Sequence, residues 1–151
     1  MTLNRQDKEY ISVGVSVAAG CKRCFEVHVK EARFQGVAED EIVDSMNIAL
    51  DVRERAQEIM KEHGLKVLGR KLAQLVTGED EEGGEKAAPP GTRIEELTAA
   101  ACAFAVNCER SLERHQANAR AAGATDEEIQ EAVRISQFIK GKAASLCCKR
   151  I

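Results

Sequence analysis

Two cysteines and a histidine define the chemistry open to this chain. In Gly20-Cys21-Lys22-Arg23-Cys24-Phe25-Glu26-Val27-His28 the thiols stand three residues apart, and the imidazole follows four residues later. On a helix all three share one face, because neighbours three and four apart lie on the same side. A thiol near a helix N-terminus is acidified by the dipole, and Lys22 and Arg23 push the same way. His28 can take a proton from a thiol or stabilise a thiolate. A second thiol at this distance can attack a sulfenic acid or mixed disulfide on the first and close an intramolecular disulfide. The stretch therefore suits thiol redox chemistry.

The same residue types recur later in the chain. Adding 87 carries Glu9, Cys21, His28 and Gly36 onto Glu96, Cys108, His115 and Gly123 without a gap. Ser111 stands where the first copy has Cys24, so Glu96, Cys108 and His115 are left without a cysteine pair. This degenerate copy reads as structural, or as a remnant that shapes the pocket. The other cysteines divide in two ways. Cys102 lies among alanines and reads as core. Cys147 and Cys148 read as frayed terminal thiols or as an exposed pair that shuttles electrons. A two-residue spacer between thiols is also common in zinc sites, where His28 would be a third ligand, but no second close pair of the usual kind is present.

The elements that must position these residues are helices. Ala, Leu, Ile, Glu, Lys and Arg dominate, with two prolines in 151 residues. Residues 3–19 read as a helix crowded with Val and Ala, whose lack of a polar face predicts burial between other helices. Gly20 breaks it. A second helix is expected over Cys21 to Gln35, with Phe25, Val29 and Ala32 packing and Gly36 as its stop. Acidic Glu39, Asp40 and Glu41 open a third, whose apolar face is Ile42, Met46, Ala49 and Val52. His63-Gly64 is expected to end that element, and Leu65, Leu68, Leu72, Leu75 and Val76 to form a short connector helix. Residues 77–91, with an acidic run and Pro89-Pro90-Gly91, read as an exposed linker. The second copy repeats the plan with helices over 93–106, from Cys108 to Ala122, and from Asp126 onward. Thr125 and Glu128 have the spacing of a capping box.

The expected architecture is all-α, with two tandem three-helix repeats packed as one bundle. Residues 1–76 form the first repeat and its connector, 77–91 the linker, and 92–151 the second, degenerate repeat. A chain of this length holds about one ordinary domain, so the repeats are expected to share a core.

Composition narrows the function. A net charge of −3 and few aromatic residues argue against a nucleic-acid or anionic-membrane partner. Six cysteines without a convincing secretory signal point to reduced thiols, metal ligation or redox chemistry in the cytoplasm. The segment before Cys21 loosely resembles a lipoprotein signal, but Asp7 and Glu9 are acidic where such segments are basic, and the pattern recurs internally before Cys108. No Gly-rich strand-to-helix turn marks a dinucleotide or flavin site, and no cofactor is expected.

Glu9, Cys21, Cys24 and His28, followed by Gly36, Glu41 and Ile42, resemble the signature of the alkylhydroperoxidase D-like branch of the carboxymuconolactone decarboxylase family. The resemblance covers each repeat and leaves the linker out. It implies an all-helical, homo-oligomeric enzyme that reduces a hydroperoxide or exchanges disulfides through the cysteine pair, reloaded by a reducing protein or a small thiol. By position it makes Cys24 the residue oxidised to sulfenic acid, Cys21 the proton donor and resolving thiol, and Glu9 with His28 a proton relay. The dipole argument alone favours Cys21 as the more acidic thiol, so the nucleophile is left open. Members with the peroxidase site often carry a histidine between the cysteines, where this chain has Lys22-Arg23, which sets thiol exchange ahead of peroxide reduction. Glu9 lies twelve residues before Cys21, about 18 Å along a straight helix, and joins the site only through a bend, a crossing helix or another subunit. Two further readings stand beside the redox one. One is a decarboxylase-like acid/base enzyme using Glu9 and His28, and the other a non-enzymatic helical or metal-binding module.

Overall fold

The computed structural model describes residues 2–69 and 89–151, which form six helices and, within those residues, no strand. In chain order they are α1 (Arg5–Ala18), α2 (Lys22–Phe34), α3 (Glu39–Leu68), α4 (Arg93–Ala105), α5 (Glu109–Ala121) and α6 (Asp126–Cys148).

The starts and stops follow from short-range hydrogen bonds. Asn4 caps α1 by accepting the Asp7 N–H at 2.8 Å. At the end of α1, Gly20 takes φ +68°, which lets the Cys21 N–H reach the Ser16 carbonyl at 3.0 Å and the Gly20 N–H reach Val17. The second repeat closes α4 in the same way, with Asn107 at φ +59° and the Cys108 N–H on the Ala103 carbonyl. Asn is among the few residues that tolerate this conformation. Thr125 and Glu128 complete their capping box, Glu128 N–H to Thr125 Oγ1 at 3.1 Å and Thr125 N–H to Glu128 Oε2 at 3.0 Å. Thr92 and Glu95 form another at the start of α4.

The core is built around α1 and α4. Ile11, Val13 and Val15 on α1, and Leu97, Ala100, Ala101 and Cys102 on α4, are fully enclosed, which is why neither helix has a polar stripe along its length. The two pack against each other, and each also meets the third helix of the opposite repeat, so that α1 lies on α6 as α4 lies on α3. The repeats therefore share one core related by an approximate two-fold exchange. Small residues permit the close approach. A Cβ on Gly14 would stand 2.9 Å from both Ser45 Oγ and Thr98 Cγ2. Polar ties join the halves at the edge: Arg93 lies 3.8 Å from the Asp7 carboxylate, Lys8 pairs with Glu131 at 3.2 Å, and the Leu3 N–H donates to Glu131 at 2.7 Å.

Three expectations change. The third helix does not end at His63-Gly64: α3 runs on to Leu68, so His63, Leu65 and Leu68 belong to it. A lone Gly costs only about 1 kcal/mol inside a helix, too little to stop one whose neighbours favour it. The expected connector residues Leu72, Leu75 and Val76, and most of the expected linker, lie outside the described residues. Met46 turns outward, while Ser45 takes the buried position and donates to the Tyr10 carbonyl at 2.5 Å. Cys21 is the cap residue of α2, in extended conformation, rather than its first helical residue. No helix among the described residues is long and apolar enough to cross a membrane.

Candidate functional site

The turn that ends α1 delivers Cys21 directly to the N-terminus of α2. Its sulfur folds back over the first turn, accepting the Cys24 N–H at 3.2 Å, and is bonded to Cys24 Sγ as a disulfide with a Cα–Cα distance of 5.3 Å. Both cysteines are nearly enclosed, at 8% and 6% exposure. The predicted proximity of the two thiols thus arises with one of them outside the helix, because a cap side chain and the residue three further on meet at the helix mouth.

His28 lies one turn beyond Cys24 on α2. There Glu9 joins it: α2 folds back along α1, and His28 Nδ1 lies 2.9 Å from Glu9 Oε2. The crossing helix, among the routes considered above, is the one used. With the carboxylate as acceptor, Nδ1 carries the proton and Nε2 is the basic nitrogen. Among the described residues Nε2 of His28 has no hydrogen-bond partner. Glu9 and His28 are each about one-fifth exposed.

The second repeat reproduces this frame and alters its contents. Cys108 occupies the cap of α5, and its thiol donates to Ser111 Oγ at 3.1 Å, where the first repeat has the disulfide. His115 Nδ1 lies 2.7 Å from Glu96 Oε2. Glu96 also accepts the Gly91 N–H at 2.7 Å, and the pair is more deeply buried than its counterpart. Arg114, absent from the sequence reading, places Nη2 3.3 Å from His115 Nε2. The corresponding residue of the first repeat is Val27. The offset of 87 would have revealed that exchange. It also relates Arg53, whose guanidinium donates to the Val17 carbonyl, to Lys140, whose ammonium donates to the Phe104 carbonyl.

Two cavities bear on the chemistry. One of about 420 Å³ opens beside Cys21 between the start of α2 and the last turns of α6, and Cys147 lines it. Another of about 550 Å³ is walled by Glu96, His115 and Arg114 with Asp51, Glu54 and Glu58 of α3. The larger space thus belongs to the copy without the cysteine pair. Cys102 is fully enclosed in the core, and burial pushes its thiol far above the ordinary range, which leaves it inert. Cys147 and Cys148 are exposed free thiols. Among the described residues no three His, Cys, Asp or Glu side chains converge as metal ligands would.

Helical repeats sharing one core, each with a Glu–His pair between its first two helices, define the class. The carboxymuconolactone decarboxylase family profile matches residues 2–61 and 82–146, and the chain belongs to that family, which includes the alkylhydroperoxidase D-like branch. No curated protein and no solved structure matches the chain significantly.

Proposed function

We propose that the protein is a thiol–disulfide oxidoreductase of alkylhydroperoxidase type, in which Cys21 and Cys24 cycle between dithiol and disulfide. The observation that carries this reading is the pairing of those two residues at the mouth of α2, one turn from a histidine whose Nε2 is open and whose Nδ1 is fixed by Glu9. In the forward direction a thiolate of the pair attacks a sulfur of an external disulfide, or the terminal oxygen of a hydroperoxide. The first attack releases a thiolate and leaves a mixed disulfide; the second releases an alkoxide and leaves a sulfenic acid. The remaining thiol then attacks the modified sulfur, closes Cys21–Cys24 and expels the second thiolate or water. Two electrons pass from protein to substrate. His28 Nε2 accepts the thiol proton and can return it to the leaving group, and Glu9 stabilises the imidazolium that forms. A reducing protein or small thiol reverses the cycle.

The test is mass mapping of thiol states after a hydroperoxide or a neutral disulfide is added to reduced protein, with Cys21→Ser and Cys24→Ser alongside. Rapid Cys21–Cys24 closure in the wild type, with a trapped sulfenic acid or mixed disulfide on the surviving cysteine of one variant, is the expected result. If both thiols stay reduced under both reagents, the redox reading is wrong. The Glu96–His115 pair beside its cavity favours a second reading, acid/base chemistry on a carboxylated lactone. Turnover of such a substrate that survives Cys21→Ser but not Glu96→Gln would select it.

A further inference from the structure

The cavity beside Cys21 has an unusual charge for a chain that is acidic overall. Its walls carry Lys22, Arg23, Lys140 and Arg150. An adjoining cavity of about 510 Å³ shares Arg23, Leu146 and Arg150 with it and adds Lys142 and Lys149. No Asp or Glu side chain lines either space. Among the described residues Lys22, Arg23, Lys142, Lys149 and Arg150 make no ion pair, and Lys140 is held by neutral groups, the Phe104 carbonyl and ring and the Asn107 side chain. The N-terminus of α2 adds its partial positive charge at the same place.

The pattern does not recur at the other cap. There Lys22 is replaced by Glu109, and Arg110 pairs with Glu62 at 3.9 Å. Cations without a carboxylate partner among the described residues thus line the cleft of the copy that has the disulfide. There the N-terminus of α2 and the C-terminal end of α6, of opposite partial charge, meet. A hydroperoxide is neutral and has no need of such cations. The combined spaces have the size of a small-molecule site, and Cys21, rather than Cys24, is the cysteine that lines them.

We propose that this cleft binds a small disulfide whose two halves carry carboxylates, and that Cys21 is the sulfur that meets it. This rests on the redox reading above and adds the substrate class. The Cys21 thiolate attacks one substrate sulfur, forming a Cys21 mixed disulfide and expelling the first carboxylated thiolate. The Cys24 thiolate then attacks Cys21 Sγ, closing the protein disulfide and expelling the second. Both leaving thiolates gain protons, the substrate is reduced by two electrons, and the protein dithiol is oxidised. Lys142, Lys149 and Arg150 hold the carboxylates and raise the local concentration of the anion.

The experiment measures the rate at which the reduced protein is oxidised by three symmetrical disulfides of similar size. These are dithiodipropionate, bis(2-hydroxyethyl) disulfide and cystamine, with charges of about −2, 0 and +2. Cys147→Ser/Cys148→Ser serves as background, so that only one reactive pair is read, and each rate is divided by that of mercaptoethanol with the same reagent. The expected result at low salt is an anionic-to-cationic preference of about tenfold or more, in the range that electrostatic focusing supplies. That preference falls at high salt and in Lys142→Gln/Lys149→Gln/Arg150→Gln, whose helical circular dichroism verifies its fold. If the normalised rates are equal for all three reagents, or the preference survives the triple substitution and salt, the anion cleft is wrong and the redox reading stands. If even the neutral disulfide fails to oxidise the pair, the redox reading falls and the cleft proposal with it.

Discussion

Cys21 and Cys108 have almost the same backbone conformation, φ −97° and ψ 96° in the first and φ −97° and ψ 90° in the second, yet they face different chemistry. In the first repeat the cap sulfur meets another sulfur, and the histidine beside it keeps an open nitrogen. In the second it meets a hydroxyl, Arg114 occupies the corresponding nitrogen, and the Glu–His pair has sunk deeper. Two side-chain changes on one frame, serine for Cys24 and arginine for Val27, separate a site suited to thiol exchange on the reading proposed above from one without a thiol pair. Backbone geometry therefore says where such chemistry can happen, and the identity of two or three side chains says whether it does.

The largest effect comes from making the first site like the second. Cys24→Ser should abolish Cys21–Cys24 closure and stop exchange at the Cys21 mixed disulfide, with one thiolate released instead of two, read by mass mapping and by stopped-flow oxidation. The reverse change, Ser111→Cys in the Cys147→Ser/Cys148→Ser background, should let Cys108 form a disulfide and raise the number of oxidisable pairs per chain from one to two, counted by thiol titration before and after oxidation. If the new thiol stays reduced under a strong disulfide donor, the two frames are less alike than their angles suggest.

The carboxylates sharpen the contrast further. Glu9→Gln should slow exchange by about ten- to a hundredfold and alter its pH profile, since it removes the charge that supports the His28 imidazolium. Glu96→Gln should leave exchange unchanged and instead destabilise the fold by about 1–3 kcal/mol, because buried Glu96 holds both His115 and the Gly91 N–H. Chemical denaturation and a pH–rate profile on both variants separate the outcomes; equal kinetic losses in the two would contradict the division of roles.

Acid should loosen the seam between the repeats. The Leu3 N–H and Lys8 hold the Glu131 carboxyl below its usual range across that seam, and within the second repeat the Arg93 guanidinium does the same for Glu128. A carboxylate whose folded pKa is depressed contributes stability that is fully present above its unfolded value, about 4.3, and is lost as pH falls through the lower folded value. Asp7 acts in the opposite sense, burial pushing its carboxyl up against the pull of Arg93. The melting temperature should fall between about pH 5 and pH 3, and Glu131→Gln should flatten that slope. The smallest effect concerns the two third helices. α6 begins with the Thr125 hydroxyl as its cap, while α3 begins at Ala38 with no side-chain cap. Ala38→Thr should stabilise by about 0.5–1 kcal/mol, and Thr125→Ala should cost about 1 kcal/mol, in denaturant titrations.

The offset of 87 made most of this legible, because a doubled pattern predicts doubled structure. It marked Cys21 with Cys108, Glu9 with Glu96 and His28 with His115 as related positions, and the apolar runs of α1 and α4 as one repeated element. Gly64 misled because a glycine stops a helix only where the chain needs positive φ, as at Gly20 and Gly36, and a lone residue type does not carry that information. Cys21 was placed inside the helix because spacing alone cannot distinguish a cap from a first turn. Arg114 and the basic end of α6 were missed for another reason. Their roles come from meeting residues far along the chain, Arg114 facing the α3 carboxylates across a cavity and Lys149 and Arg150 approaching Arg23. Only the packing of one repeat on the other creates those neighbours.

That shared core, in which α1 and α4 pack on each other and each meets the opposite third helix, has the topology of a symmetric dimer whose two subunits have been joined into one chain. In a true homodimer every substitution appears twice, so a residue harmful at one site is imposed on the other as well. Once the halves are covalently linked, that rule lapses. A single codon can replace a thiol by a hydroxyl, or a valine by an arginine, in one half alone, and leave the other half as it was.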